Sequence, residues 1–252
     1  MKKLLLFIII LACAGDLWAQ NKQTTYGNQV WFGYYPQLRF SKHWGLWSDY
    51  ELQQKEHIAD NSQFTFRLGG TYYVNNDTKL TAGYTFINVS PAAGHLYVSQ
   101  PENSAWEQIQ WYTYHKKKKL MQWLRLEERF KRNILDDYTL ADKSTYTWRA
   151  RYDFFYQLPL SSKGISPHHF SAAIGDEIYI NFGKNIVNNY FDQNRIFLGM
   201  SYQVNHHDNL VFGYMKLFQQ QPSGNQYKDL DVFRISFFEN IVLWKKKEEP
   251  AE

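Results

Sequence analysis

From Gln29 onward, apolar and polar residues alternate with a period of two, segment after segment. In "QVWFGYYPQLRF", Val30, Phe32, Tyr34, Leu38 and Phe40 share one side, and Gln29, Trp31, Gly33, Tyr35, Gln37 and Arg39 share the other. "QFTFRLGGTYYV" sets Phe64, Phe66, Leu68 and Tyr72 against Gln63, Thr65, Arg67 and Thr71. "STYTWRARYDFFY" sets Tyr146, Trp148, Tyr152 and Phe154 against Thr147, Arg149, Arg151 and Asp153. "NRIFLGMSYQV" opposes Ile196, Leu198 and Met200 to Arg195, Gly199 and Ser201, and "DVFRISFF" opposes Phe233, Ile235 and Phe237 to Arg234 and Ser236. This is the pattern of strands whose two faces meet different surroundings.

One segment is ambiguous by itself. "WLRLEERFKR", Trp123 to Arg132, is made of good helix formers, with Glu127–Lys131 and Glu128–Arg132 spaced four apart. As a strand it puts Arg125, Glu127 and Arg129 on one face and Leu124, Leu126 and Phe130 on the other. Its neighbours decide for a strand. A lone helix between a lysine-rich turn and a loop would interrupt the ladder and leave two strand edges unpaired. Glu128 then interrupts the apolar face.

The punctuation is regular too. Short polar turns fall at Ser41–His43, Asn75–Thr78, Lys116–Lys118 and Asn205–Asp208, and "LPLSSKGISP" makes a longer one after Gln157. Asn and Asp favour such turns because their side chains bond to nearby backbone. Between them lie the breaks Glu56–Asn61, Ser90–Ser104, Asn133–Ala141, Gly183–Tyr190 and Gln221–Asn225. Turns and loops in strict alternation predict an all-β, antiparallel, up-and-down barrel of about 10–12 strands, with turns at one rim and loops at the other. About eleven strands of roughly ten to fifteen residues are counted, longer than usual for soluble sheets. Because single-chain bacterial barrels favour even numbers, the expectation is a count one off, through strands merged around Pro36 or between Tyr227 and Trp244.

The N-terminus predicts export. Lys2 and Lys3 precede an apolar core, Leu4 to Ala12, too short to span a bilayer as a helix. "DLWAQ" offers cleavage after Ala19, so residues 1–19 are expected to be a cleaved signal peptide, 20–244 the barrel and 245–252 a charged tail. The single cysteine, Cys13, leaves with the signal, so no disulfide is expected. A lipoprotein signal at "ILAC" is the rival reading. Beyond the signal no apolar run reaches helix-spanning length, so a membrane crossing would have to be made by closed strands.

Aromatic residues make up 18% of the chain, with 19 Tyr, 18 Phe and 9 Trp. Tyr and Trp carry an apolar body and a polar tip, which suits a membrane interface or a sugar-binding face. A formal charge of +4 gives no ground for a nucleic-acid partner. The charges fall on the faces that also carry small residues, Gly33, Gly69, Gly83, Gly199 and Gly213, as a narrow polar lumen requires. The expected lumen-facing set is Arg39, Asp49, Glu51, Arg67, Arg125, Glu127, Arg129, Arg149, Arg151, Asp153, Glu177, Arg195 and Arg234. The expected lipid-facing set is Phe64, Phe66, Leu68, Leu124, Leu126, Tyr146, Trp148, Ile196, Leu198, Phe233, Ile235 and Phe237. An Arg turned to mid-bilayer lipid would cost about 2–4 kcal/mol, which favours this orientation. A secreted soluble barrel with its apolar face inward, binding an apolar ligand, is the alternative.

The early Trp-containing stretch "NQVWFGY", the following "LWSDYEL", the central "RLEERF" and the "YTWRARYDF" after it resemble a known group. The chain is similar, over essentially its whole mature length, to the uncharacterised outer-membrane barrels of Gram-negative bacteria grouped as domain of unknown function 2490. The resemblance implies a barrel in the outer membrane, with outer-membrane lipids and the barrel assembly machinery as partners. It implies no reaction. Such barrels often end on an aromatic residue, whereas here eight residues follow Trp244.

The inward charges suggest two readings, an ion-pair lattice that fills the lumen or a constriction for small anionic solutes, since Arg is in excess. A lipid-acting enzyme is a further alternative. Its His candidates are His43, His57, His95, His115, His168, His169, His206 and His207, most of them in turns or at strand ends. No Gly-x-Ser-x-Gly elbow is present, and no catalytic residue, cofactor or metal is assigned. His206–His207–Asp208 reads as a polar turn rather than a metal site.

Overall fold

The computed structural model describes residues 22–55, 61–91 and 97–243. It is all-β: β1 Gln23–Arg39, β2 Trp44–Gln54, β3 Asn61–Tyr73, β4 Thr78–Val89, β5 Gln100–His115, β6 Lys118–Ile134, β7 Leu140–Pro159, β8 His169–Phe182, β9 Phe191–Gln203, β10 Asn209–Gln220 and β11 Gln226–Val242. The expected signal peptide and charged tail lie outside the described residues.

Each strand pairs antiparallel with its sequence neighbour, and the sheet closes on itself. The closing pair is different. With eleven strands β1 and β11 run the same way, so they join in parallel from Gln23↔Gln226 to Arg39↔Val242. The expectation of an even count is therefore corrected. β1 passes through Pro36 without breaking, and β11 is likewise one strand. Pro36 leaves its mark only in the β1–β2 ladder, where pairing is interrupted between Tyr34↔Tyr50 and Gln37↔Trp47. Proline has no N–H to give, so a gap at this point is its direct consequence.

The segment at Trp123–Arg132 is strand, paired residue for residue with β5 and β7. Several boundaries shift. β5 begins at Gln100 inside the expected Ser90–Ser104 loop, and Lys118 belongs to β6 rather than to the turn.

The inner wall is not uniformly polar. Trp31, Ala173, Phe197, Val211, Met215, Leu217, Leu230 and Val232 form an apolar cluster inside β8–β11 and β1. Most of the inward charges stand on the facing half, β2–β8, with Asp192 and Arg195 on β9 and Lys228 and Arg234 on β11. Several strands of the apolar half carry grease on both faces, as with Phe197 inside and Leu198 outside.

Close approach of strands needs missing side chains at one place in particular. A Cβ on Gly83 would lie 2.6 Å from Cζ2 of Trp106 and 2.8 Å from Cα of its partner Gly69. The pair of glycines makes the space into which the Trp106 indole turns.

Candidate functional site

Alternation along each strand delivers the charges to one enclosed space. Asp49, Glu51, Arg67, Arg125, Glu127, Arg149, Arg151 and Glu177 are all buried inside the barrel, with Arg129 and Arg195 only slightly more accessible. Adjacent pairing places Glu127 opposite Arg149 and Arg125 opposite Arg151 on β6 and β7. Glu127 is the centre: Arg149 Nη2 lies 2.5 Å away, Arg151 Nη1 2.7 Å and Arg125 Nη1 3.8 Å. Arg151 continues to Glu177 at 2.5 Å, and Arg195 reaches the same carboxylate at 3.8 Å. Arg67 holds both oxygens of Asp49 at 3.0 Å. A lattice of this kind is stable only while its members stay paired, because each buried ion has given up its water.

Four of the expected residues lie apart from it. Arg234 donates to the Tyr35 hydroxyl at 2.8 Å and to Ser236 at 3.0 Å. Asp153 lies directly opposite Glu177, a like charge, and its Oδ1 has no hydrogen-bond partner among the described residues. Arg39 sits at the turn rim, over the Tyr73 ring and donating to the Lys42 carbonyl at 2.5 Å. Glu51 accepts from Tyr35 and Gln53.

Two carboxylates escaped the sequence reading. Glu102 receives a bidentate pair from Arg129, both bonds 2.7 Å. The run Glu102, Ser104, Trp106, Gln108, Gln110 alternates cleanly, and that was its signal. Asp192 accepts from Arg149 at 3.1 Å. It is the extra residue of a bulge opposite Tyr179/Ile180, which turns it inward together with its neighbour Gln193. Simple alternation would point it outward.

Inward aromatics complete the packing. Arg125 lies over Trp106, Trp123 and Trp47 at 4.1, 5.1 and 5.2 Å, and Arg195 over Trp31 and Tyr179, both at 4.8 Å. Indole and phenol faces attract guanidinium groups, which lets these cations be buried with few carboxylates.

The layer of charges and rings divides the interior. A cavity of about 420 Å³ lies on the loop side, lined by Arg129, Lys131, Arg149, Asp192 and Lys228 among others. A second, of about 370 Å³, lies on the turn side, lined by Trp47, Trp123, Arg125 and Asp153, with His206 and His207 at its mouth. Arg67 and Arg195 line both.

The outer wall carries the other faces of the strands. Phe64, Leu68, Leu124, Leu126, Ile196, Leu198 and Phe233 stand exposed there, Leu198 to 63%. Phe66, Tyr146, Trp148, Ile235 and Phe237 occupy the same wall, half-covered by neighbouring side chains. Polar groups on this wall are mostly bonded sideways to the next strand. Tyr34 donates to Glu239, Tyr214 to Asp231, Tyr146 to Glu128 at 3.2 Å, and Asn194 to Asp176 at 2.5 Å. Glu107 is exposed on the outer wall opposite Leu126.

Among the described residues the histidines form no catalytic constellation. His169 bonds within its own turn, to the Pro167 carbonyl at 2.7 Å and Ser166 at 3.3 Å. His57 and His95 lie outside the described residues. Among the described residues no three His, Cys, Asp or Glu side chains group as a metal site.

No curated protein and no solved structure matches the chain. A family model matches residues 28–228, from within β1 to the start of β11, and the chain belongs to the family described as Protein of unknown function (DUF2490).

Proposed function

We propose that the protein is an outer-membrane β-barrel of non-enzymatic role whose lumen is held shut by an ion-paired layer. The location is supported by the inverted arrangement of the chain, with aliphatic and aromatic side chains on the outer wall and guanidinium–carboxylate pairs inside. A closed barrel has no free edge and satisfies its backbone internally, as a lipid environment demands. The outer-membrane lipids and the barrel assembly machinery are its expected partners.

The observation that carries the shut state is the division of the interior into two cavities with Arg67 and Arg195 common to both. A narrow passage for small anions is the second reading. It is favoured by the same two cations, since both stand where the cavities meet.

Reconstitution in planar bilayers tests the two readings. The shut barrel inserts yet gives no steady conductance, and the double substitution Arg67→Ala with Arg195→Ala opens one. Steady anion-selective current through the unaltered protein supports the passage instead. Failure to associate with lipid, with a monomer soluble in plain buffer, overturns both.

A further inference from the structure

The loop-side cavity contains cations that the lattice leaves over. Arg129 and Arg149 are occupied by Glu102, Glu127 and Asp192. Lys131 and Lys228 also line the cavity, and neither has an ion pair or side-chain hydrogen bond among the described residues. They stand on opposite walls, β6 and β11. At the floor is Arg195. Its side chain is only 11% accessible, its nearest carboxylate oxygen is 3.8 Å away, and its Nε has no acceptor. Side-chain amides of Gln63, Gln193 and Asn189 line the same cavity.

Six cationic side chains line this polar space against two carboxylates, Glu102 and Asp192, which makes an electrostatic deficit. Glu102 stands opposite Lys131 but is held by both Arg129 bonds, and Asp192 is held by Arg149. A compact, multiply charged oxyanion would satisfy Lys131, Lys228 and Arg195 at once, accepting several charge-assisted hydrogen bonds. A lone carboxylate has too little charge, and a neutral solute would leave the excess of positive charge in place.

We propose that this cavity is a binding site for a small soluble phosphate, inorganic phosphate or a phosphomonoester, held between Lys131 and Lys228 above Arg195. The inference deepens the reading of the barrel as a charge-lined lumen. It rests on the lumen geometry and not on whether current flows.

The test uses the mature chain refolded in detergent, with heat-modifiable electrophoretic migration as the check that the barrel has formed. Titration calorimetry at constant ionic strength with sodium phosphate and with glucose 6-phosphate shows saturable binding. The double substitution Lys131→Met, Lys228→Met weakens it by at least about tenfold, while Lys163→Met at the opposite rim leaves it unchanged. Phosphate also raises the thermal midpoint of the unaltered barrel, and the same concentration of glucose does not. That second measurement stands even where the double variant fails to fold. A folded barrel that ignores phosphate, or a folded double variant that binds it equally well, overturns the site while leaving the barrel reading intact. Binding of short-chain phosphatidic acid alone reassigns the group to a lipid headgroup and overturns the soluble ligand.

Discussion

Glu127 on β6 and Arg149 on β7 face each other directly across the inner wall, 2.5 Å apart at their closest atoms. The other oxygen of Glu127 takes Arg151 at 2.7 Å, so a single carboxylate holds two guanidiniums inside the barrel. Removing its charge leaves Arg149 with Asp192 alone and Arg151 with Glu177 alone, so two buried guanidiniums each lose one of two carboxylates. Glu127→Gln is expected to destabilise the barrel by about 3–5 kcal/mol, measured by urea unfolding in detergent. Glu102→Gln should cost less, because it loosens one guanidinium rather than two, and Arg129 keeps Asn181 at 3.2 Å and Asp192 at 3.8 Å.

Glycines of the same hairpin should respond in opposite ways. A Cβ at Gly83 meets the Trp106 ring and the backbone of Gly69 inside 3 Å, so Gly83→Val should prevent formation of the heat-modifiable barrel. Nothing lies within 4 Å of a Cβ at Gly70, so Gly70→Ala should fold as the parent does. Equal behaviour of the two would contradict the packing of Trp106 against this hairpin.

Leu198 distinguishes the two walls. It is 63% exposed, whereas its neighbour Phe197 is buried among the apolar cluster. In lipid, Leu198→Arg should cost about 2–4 kcal/mol in vesicle-folding equilibria, with Leu198→Ala much milder. A soluble barrel would accept arginine at this position without loss, and folding in plain buffer would show it.

The parallel seam also fixes where the ends of the described chain emerge. β1 starts at the loop rim and β11 ends at the turn rim. Cys13 is the one cysteine in the sequence and is expected to leave with the signal. Thr24→Cys and Val242→Cys in the mature chain therefore report separately. An impermeant maleimide added outside sealed vesicles should label one and spare the other. Labelling of both from one side would rule out the eleven-strand closure.

Much of this architecture was legible in the residues, and the exceptions have physical causes. Phe64, Phe66 and Leu68 against Thr65 and Arg67 declare their faces because the two sides meet unlike surroundings. The strands of the apolar half do not, since Phe197 and Leu198, or Leu217 and Phe218, are greasy on both faces. Asp192 was hidden by a bulge, which breaks the very period that assigns direction. Glu102 was hidden by two prolines and a glycine nearby, which made a strand start look like loop. The parallel closure leaves no local pattern at all, because it depends only on whether the total is odd or even.

That closure governs how quickly the protein can form. Ten of the contacts between strands join neighbours in sequence, and each can zip as a hairpin from its own turn. The eleventh must bring Gln23 beside Gln226, 203 residues away, with nothing local to guide it. Such a long-range step carries the largest loop-closure penalty in the molecule. Until it is taken, two complete strand edges stand open, so the seam is where the nascent barrel is most exposed to mispairing.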